Sequence, residues 1–386
     1  MTKGIILSGG WGTRLRPLTC TVPKTLIPIL NKPVVERQMM LLKSAGVEDV
    51  VLAVSVMADV LKNYFKDGSK IGLNIIYTEE KHPMGTAGAL KLAEPYLKED
   101  NFFMLNGDVI LNFDFSEMLK AHEKYGGLGT IASKRLEDPY RYGVLIIDNK
   151  SQRIEQFKEK EEYKPVGGEF NPMPINAGVY ILEPNIFDYI EPNKKVSIER
   201  DVFPKLAEED QLYNFEITGI WKDVGKPHDL LKGNILYLKD YLKRLGGNKE
   251  NLIDETLDIE GRALIYPPVA IGKNVTIRKD CILGPNVVIG DNVYIGKGTT
   301  IKDSLIYNET YISQNVSLEK TIVSDNCLIK KGVVAQGHDT ALIILASYVE
   351  VLDHLRLIAP MESSNPLTVC HHEVVKSSLP HYEPEE

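Results

Sequence analysis

The chain has 386 residues, 43% of them hydrophobic and 25% charged, a soluble globular balance that excludes wholesale disorder, collagen and a disulfide miniprotein. At about 150 residues per domain, this length implies two to three domains. Lys and Arg total 45 against 53 Asp and Glu, a net charge of −8, and no run of five or six basic residues occurs, so neither nucleic acid nor an anionic membrane is expected as a partner.

From Lys3 to about Tyr241, short apolar runs alternate with helical patterns. GIIL (4–7) is a compact apolar run ending at Ser8, Gly9 and Gly10. VVERQMMLLKSAG (34–46) has helical spacing and stops at Gly46, a good helix-end signal. DVVLAVS (49–55) is β-branched and apolar on both faces, as a buried parallel strand is. A helix-like stretch (58–66), a strand-like one (73–79), another helix (86–97) and the strand-like NFFMLNGD (101–108) follow. This alternation predicts an α/β fold: a Rossmann-like open sheet, parallel or mixed, with helices on both faces. Ligands of such sheets bind outside the carboxyl ends of the strands. The loop after Leu7 and Asp108 both stand at such ends.

The last third repeats every six residues. From Val269 it reads VAIGKN, VTIRKD, CILGPN, VVIGDN, VYIGKG, TTIKDS, LIYNET. That period matches neither a helix nor an alternating strand, but fits a parallel β-helix, expected to be left-handed. It runs to Tyr311, slips by one residue, and resumes at Val316, Ile322, Leu328 and Val334. The expected organisation is an α/β domain over 1–240, a connector over 241–260, the β-helix over 261–337, and a tail, 338–386, read as a coil cap and a loose end. The four cysteines (Cys20, Cys281, Cys327, Cys370) lack metal-ligand spacing and read as free thiols. The opening apolar stretch is too short for a signal peptide, and no run approaches the ~18 residues of a membrane span, so a cytoplasmic location is expected.

Chemistry is expected in the first domain. In GGWGTRLRPLT (9–19), glycines let backbone N–H groups approach phosphates, and Arg14 and Arg16 add positive charge. No Gly-Lys-Ser/Thr follows, so this is no Walker A loop, and Leu15 falls where a dinucleotide fingerprint needs its third glycine. Lys24, in VPKTLIPILNKP (22–33), is placed to reach the same phosphates. Asp108, and Asp223 in IWKDVGKP (220–227), are candidate Mg²⁺ ligands, since magnesium takes one or two carboxylates plus substrate phosphates. Together with a phosphate loop they suggest metal-assisted phosphoryl or nucleotidyl transfer.

These segments, with HPMGTAGAL (82–90), RYGVLI (141–146), FKEKE (157–161), INAGVYIL (175–182) and SIERDVFP (197–204), resemble the signature of the sugar-1-phosphate nucleotidylyltransferases, or NDP-sugar pyrophosphorylases. The likeness is collinear over residues 3–335, and from SIERDVFP through WKDVGKP it is most like the mannose-1-phosphate guanylyltransferases. The resemblance implies that Gly9, Gly10, Thr13 and Arg14 hold the triphosphate, with Gly85 and Thr86 beside the base. It implies that Lys24 neutralises the reacting phosphate together with Arg14, and that Asp108 and Asp223 bind Mg²⁺. Gly143, Glu159, Asn176 and Gly178 would line the sugar pocket, and Lys160 would take the sugar phosphate. The implied partners are an NTP and a sugar 1-phosphate, GTP and mannose 1-phosphate first, giving GDP-mannose. Thr25 and Glu161 stand where the family often has proline, and a longer stretch (161–174) precedes INAG.

Two other readings keep the same architecture. One is a UTP- or dTTP-dependent glucose-1-phosphate enzyme. The other is a catalytically silent regulatory relative, which would have no need of Arg14, Lys24, Asp108, Lys160 and Asp223 together. Acyl transfer in the β-helix would need a placed histidine, and His338 lies just past the last recognised coil. The β-helix is instead expected to assemble copies into a homo-oligomer.

Overall fold

The computed structural model describes residues 2–139, 141–159 and 172–380. The chain divides into two compact units: Met1–Trp11, Pro23–Leu26 and Val34–Lys222 in the first, and Gly12–Val22, Ile27–Pro33 and Asp223–Glu386 in the second.

The first unit is built on β1 (Lys3–Ser8), α1 (Val34–Ser44), β2 (Asp49–Val54), α2 (Ala58–Phe65), β3 (Asn74–Glu79), α3 (Gly85–Leu92) and β4 (Phe102–Asn106). Strands β3, β2, β1 and β4 lie side by side and parallel. Ile5, Ile6, Val50, Val51, Leu52 and Phe102 through Leu105 are buried, so both faces are covered, which is why these strands read as unbroken apolar runs. Gly4 lets α1 come close, because a Cβ there would stand 2.8 Å from Leu42 Cδ1. The chain then forms β5 (Val109–Asn112), α4 (Phe115–Tyr125), β6 (Gly129–Leu136), β7 (Val144–Ile147), β8 (Ile154–Lys158), β9 (Met173–Leu182), α5 (Phe203–Glu208) and β10 (Leu212–Glu216). The order β8-β7-β9-β4-β1-β2-β3, with β6 between β9 and β10, makes a mixed sheet. Strand β9 runs antiparallel to both β4 and β6, and breaks register with β6 between Asn176 and Tyr180, where Gly178 takes a φ of 72°. This is a β-bulge, the local device that re-aims side chains beside a site.

The second unit is a parallel β-helix of the expected left-handed type with one long helix, α6 (Pro227–Leu245), on it. Its strands form three parallel sheets of seven, seven and six strands. Each coil sends paired residues inward, such as Val269 and Ile271, Val275 and Ile277, Cys281 and Leu283, into one core. Asn274, Asp280, Asn286 and Asn292 at the coil corners have positive φ, a conformation that favours Asn, Asp and Gly over branched residues.

Three details depart from the sequence reading. The one-residue slip comes earlier than expected: Val287 pairs with Ser304, seventeen residues on, whereas Val269 pairs with Val287, eighteen on. Ser304 and Ile306 therefore take the stacked positions read as Leu305 and Tyr307. Helix α6 continues through 241–245, and Leu252–Ile253 already pairs with the next coil, so less of 241–260 is free connector. Coils also continue past Gly337, since Ile343–Leu345, Glu350–Val351, Arg356–Ile358, Leu367–Val369 and Val374–Val375 extend the same sheets. Their inward residues remain apolar; the hexapeptide signal fades because the corners lengthen.

His338 is bound within one such corner, its Nε2 2.9 Å from the Pro360 carbonyl and its Nδ1 3.0 Å from Thr340 Oγ1. His371 is 2.8 Å from the Pro17 carbonyl and His372 stacks on Tyr348, so the pair is not merely solvated. All four cysteines are free, Cys281 and Cys327 being buried. Burial pushes the Cys327 thiol up to about 12. No helix among the described residues is long and apolar enough to cross a membrane.

Candidate active site

The carboxyl ends of β1, β2 and β4 open into a cleft of about 350 Å³ in the first unit. Gly9, Gly10, Lys24, Gly85, Thr86 and Asp108 all line it, so six of the residues singled out from the sequence are brought together. The volume lies in the usual range for small-molecule sites.

The glycines are required by close approach. A Cβ on Gly9 would stand 3.2 Å from Ser55 Oγ, which donates to the Gly9 carbonyl at 2.7 Å. A Cβ on Gly107 would stand 2.6 Å from the Leu7 carbonyl oxygen, so the turn carrying Asp108 can press against the end of β1. Gly85 has a φ of 75° and faces the Val196 carbonyl at 2.5 Å from a would-be Cβ. It opens α3, whose N-terminus has no side-chain cap and whose Ala87 and Gly88 N–H groups donate to the Val196 carbonyl at 3.0 and 3.3 Å, so those two donors are not offered to an anion.

Lys24 is buried, and its Nζ lies 2.5 Å from Asp108 Oδ2. Its turn is fixed by Thr25, whose Oγ1 is 2.6 Å from Ser8 Oγ. The residue that departs from the family pattern thus ties the lysine to the end of β1. Asp108 is fixed from below by Gln38 of α1, whose Nε2 donates to the carbonyls of Asn106 and Val109 at 2.9 Å each. Neither tie is visible in the sequence, because the partners are 17 to 71 positions apart.

Glu80 is a cleft residue the sequence reading missed. It follows β3, and its Oε1 accepts from the Met84 N–H at 3.3 Å. Burial raises its carboxyl above the ordinary value, opposed by that hydrogen bond. Thr86 has its hydroxyl engaged elsewhere: it donates to Glu199 Oε2 at 2.7 Å and accepts from the Ile198 N–H at 2.8 Å.

A second group centres on the bulge of β9. Asn176 Oδ1 accepts from the Gly178 N–H at 3.0 Å, and its Nδ2 donates to Tyr180 Oη at 2.9 Å. The Asn176 N–H donates to the Gly143 carbonyl at 2.8 Å. A Cβ on Gly178 would stand 2.8 Å from Asn106 Nδ2, and Asn106 lines the cleft. Burial pushes the Tyr180 hydroxyl well above its ordinary value, and the charges of Glu199 and Glu159 add to this. Gly143, Glu159, Asn176 and Gly178 therefore gather around Tyr180 at one end of the site. Trp221 supports the bulge, donating from Nε1 to the Ala177 carbonyl at 2.8 Å.

Thr13, Arg14 and Asp223 belong to the second unit. There Arg14 and Asp223 flank Gly225, whose would-be Cβ stands 3.6 Å from Arg14 Nη2 and 2.7 Å from Asp223 Oδ2. Lys160 lies outside the described residues. Among the described residues no three His, Cys, Asp or Glu side chains form a ready metal cage. A magnesium site needs no such cage when substrate phosphates supply ligands, so Asp108 at the cleft fits one.

Comparison with known proteins gives the family. The Nucleotidyl transferase family model matches residues 3–240, and the GMPPB C-terminal domain model matches 265–383. The mannose-1-phosphate guanyltransferase of Candida albicans is 40% identical over 377 residues, covering 94% of this chain and 99% of that protein. Its counterpart in Saccharomyces cerevisiae is 46% identical over 272 residues, 69% of this chain and 72% of that protein. Among solved structures, a putative glucose-1-phosphate thymidylyltransferase from Bacillus anthracis superposes with a TM-score of 0.55 at 26% identity, over 61% of this chain and 95% of that one. HddC from Yersinia pseudotuberculosis, complexed with GMP-PN, gives 0.52 at 28% identity, over 61% and 100%. The chain is a nucleotidyltransferase: it belongs to the nucleotidyl transferase family and is mannose-1-phosphate guanyltransferase-like along nearly its whole length.

Proposed function

We propose that the chain transfers a guanylyl group from GTP to mannose 1-phosphate, giving GDP-mannose and pyrophosphate. The observation that carries this reading is the Lys24–Asp108 pair, which shares one cleft with the Gly9–Gly10 turn and with Gly85 and Thr86. That arrangement suits a reaction between two anions. An oxygen of the sugar phosphate attacks the α-phosphorus, the bond to the β-phosphate oxygen breaks, and pyrophosphate leaves with the electron pair. The nucleophile is already ionised, so no general base is required. Catalysis then consists of alignment and of cancelling repulsion. Backbone N–H groups of Gly9 and Gly10 bind phosphate oxygens, and Lys24 carries positive charge to the reacting centre.

We further propose that Asp108 holds Mg²⁺, with Asp223 as a further ligand on the family resemblance alone. When bound, the ion would neutralise triphosphate charge. Lys24, which holds Asp108 in the free protein, would then turn to the phosphates. The group around Tyr180 is proposed to take the sugar hydroxyls. Guanine is favoured by Glu80, because a carboxylate accepts well from the adjacent N1–H and N2–H donors of that base. Assembly of copies through the β-helix and a cytoplasmic location are likewise proposals; sedimentation of the full chain tests the first.

The test of the reaction is pyrophosphate release with Mg²⁺, crossing GTP, UTP, dTTP, ATP and CTP with mannose 1-phosphate, glucose 1-phosphate and an N-acetylated hexosamine phosphate. A maximum for GTP with mannose 1-phosphate is expected. A maximum for UTP or dTTP with glucose 1-phosphate would overturn the substrate assignment.

A further inference from the structure

The second unit carries another cavity of about 350 Å³, whose lining shares no residue with the site above. One stripe of α6 forms one wall: His228, Leu231, Lys232, Ile235 and Lys239 recur at helical spacing. The opposite wall is a corner of the coil stack, where Asp303 and Lys320 stand above the buried Leu342.

The two walls divide by chemistry. Leu231 and Leu342 are buried and Ile235 is half-buried, so the floor is apolar. Lys320 pairs with Asp339, and Asp303 accepts from Asn286 Nδ2 at 2.7 Å. Lys232 and Lys239 are exposed and make no ion pair among the described residues. Burial and the neighbouring Lys232 push the His228 imidazole below its ordinary value, so it lines the wall as a neutral group near pH 7. What results is an apolar floor beneath two ammonium groups that make no ion pair of their own among the described residues, while Asp339, whose carboxyl is held low first by its hydrogen bond to Lys320, also feels the charge of Lys232. Apolar surface gains by being covered, and the two like charges gain by sharing a counter-charge.

We propose that this cavity binds a small organic anion with an apolar or aromatic body. Its acid group is taken by Lys232 and Lys239, and its body lies on Leu231, Ile235 and Leu342. The cavity volume falls within the ~300–1,000 Å³ of small-molecule sites. The inference is independent of which NTP and sugar the enzyme uses.

The experiment uses the full chain and the probe 1-anilinonaphthalene-8-sulfonate, which combines an aromatic body with one sulfonate. Fluorescence titration is run with and without saturating GTP. One saturable equivalent is expected, and GTP does not displace it. The double variant Lys232→Glu/Lys239→Glu weakens binding at least about tenfold, by opposing an ion pair with the acid group. Ile235→Trp, which fills the floor, abolishes it. Both variants keep wild-type turnover, since neither touches the residues assigned to the reaction. If Ile235→Trp fails to fold, the lysine variant alone decides the matter, because exposed charge reversals rarely change stability by more than about 0.5 kcal/mol. Binding unchanged in the lysine variant, binding displaced by GTP, or an affinity that follows protein concentration as self-association does would each overturn the proposal.

Discussion

Replacing Lys24 by Met tests the reaction most directly, because the side chain stays unbranched and nearly as long while it loses the ammonium, its charge and its hydrogen-bond donors together. Lys24 is 9% exposed, which puts its ammonium in partly dry surroundings. A unit charge about 4 Å from a reacting phosphate, at an effective dielectric of ~20, contributes about 4 kcal/mol. If all of it acted in the transition state, turnover would fall by about three decades. The Asp108 side chain is 36% exposed, so water reaches the pair and part of that energy is screened. A fall in kcat of roughly 10²–10³ is therefore expected, the usual cost of removing one preorganised electrostatic group. Stability should change by less than about 1 kcal/mol, since the abandoned carboxylate is solvated. Pyrophosphate release under saturating GTP and mannose 1-phosphate measures the first quantity, and urea unfolding the second. A single variant within about threefold of wild type would refute the catalytic role.

Three further outcomes are expected. Glu80→Gln should narrow the preference for GTP over ATP and UTP by about tenfold or more, since a charged hydrogen bond contributes roughly 1.5–3 kcal/mol; unchanged kcat/KM ratios would remove Glu80 from base recognition. Gly107→Ala should lower kcat by about 10² with the fold retained, because misplacing a reacting group by an ångström has that effect. Its new Cβ meets the Leu7 carbonyl at 2.6 Å and must displace the Asp108 turn; normal turnover would show that the turn relaxes. Burial lowers the His122 pKa below its ordinary value, against the opposing effect of its hydrogen bond to the Glu183 carboxylate, so the unfolded chain takes up the proton first as pH falls. Stability should be full above about pH 6.5 and decline below it. His122→Gln should flatten that part of the melting-temperature profile, and an unaltered profile would assign the decline to other groups such as His228.

Much of this was legible in the chain because local pattern and tertiary role coincide. Strand β1 is a short apolar run ended by glycines, and it is buried on both faces with its glycines at the cleft. The coils repeat because stacked positions demand apolar residues at a fixed interval. What stayed hidden is what depends on contacts between distant positions. Gln38 reads as a polar residue on an amphipathic helix, yet it holds the Asp108 turn. Glu80 reads as one of two acids after a strand; only the folded sheet turns it toward the cleft. Thr86 reads as a cleft hydroxyl, and it is spent on Glu199 and Ile198. The tail read as a coil cap and a loose end for the opposite reason: its inward residues kept the pattern, but the spacing between them no longer did.

That changed spacing is confined to one edge of the solenoid. Thr321 pairs with Ile343, twenty-two positions on, and Ile343 with Leu367, twenty-four on. The added residues lie between Val334–Gln336 and Ile343–Leu345, and between Arg356–Ile358 and Leu367–Val369. The earlier single deletion falls at the equivalent turn, between Thr300–Lys302 and Ser304–Ile306. One seam of the prism thus absorbs every change of perimeter, while the other two keep their rungs in line. The same seam supplies Asp303, Lys320 and Asp339 to the lysine-rimmed cavity. The shape of that cavity can consequently be redrawn by indels at a single hinge line, with no rung of the ladder re-registered.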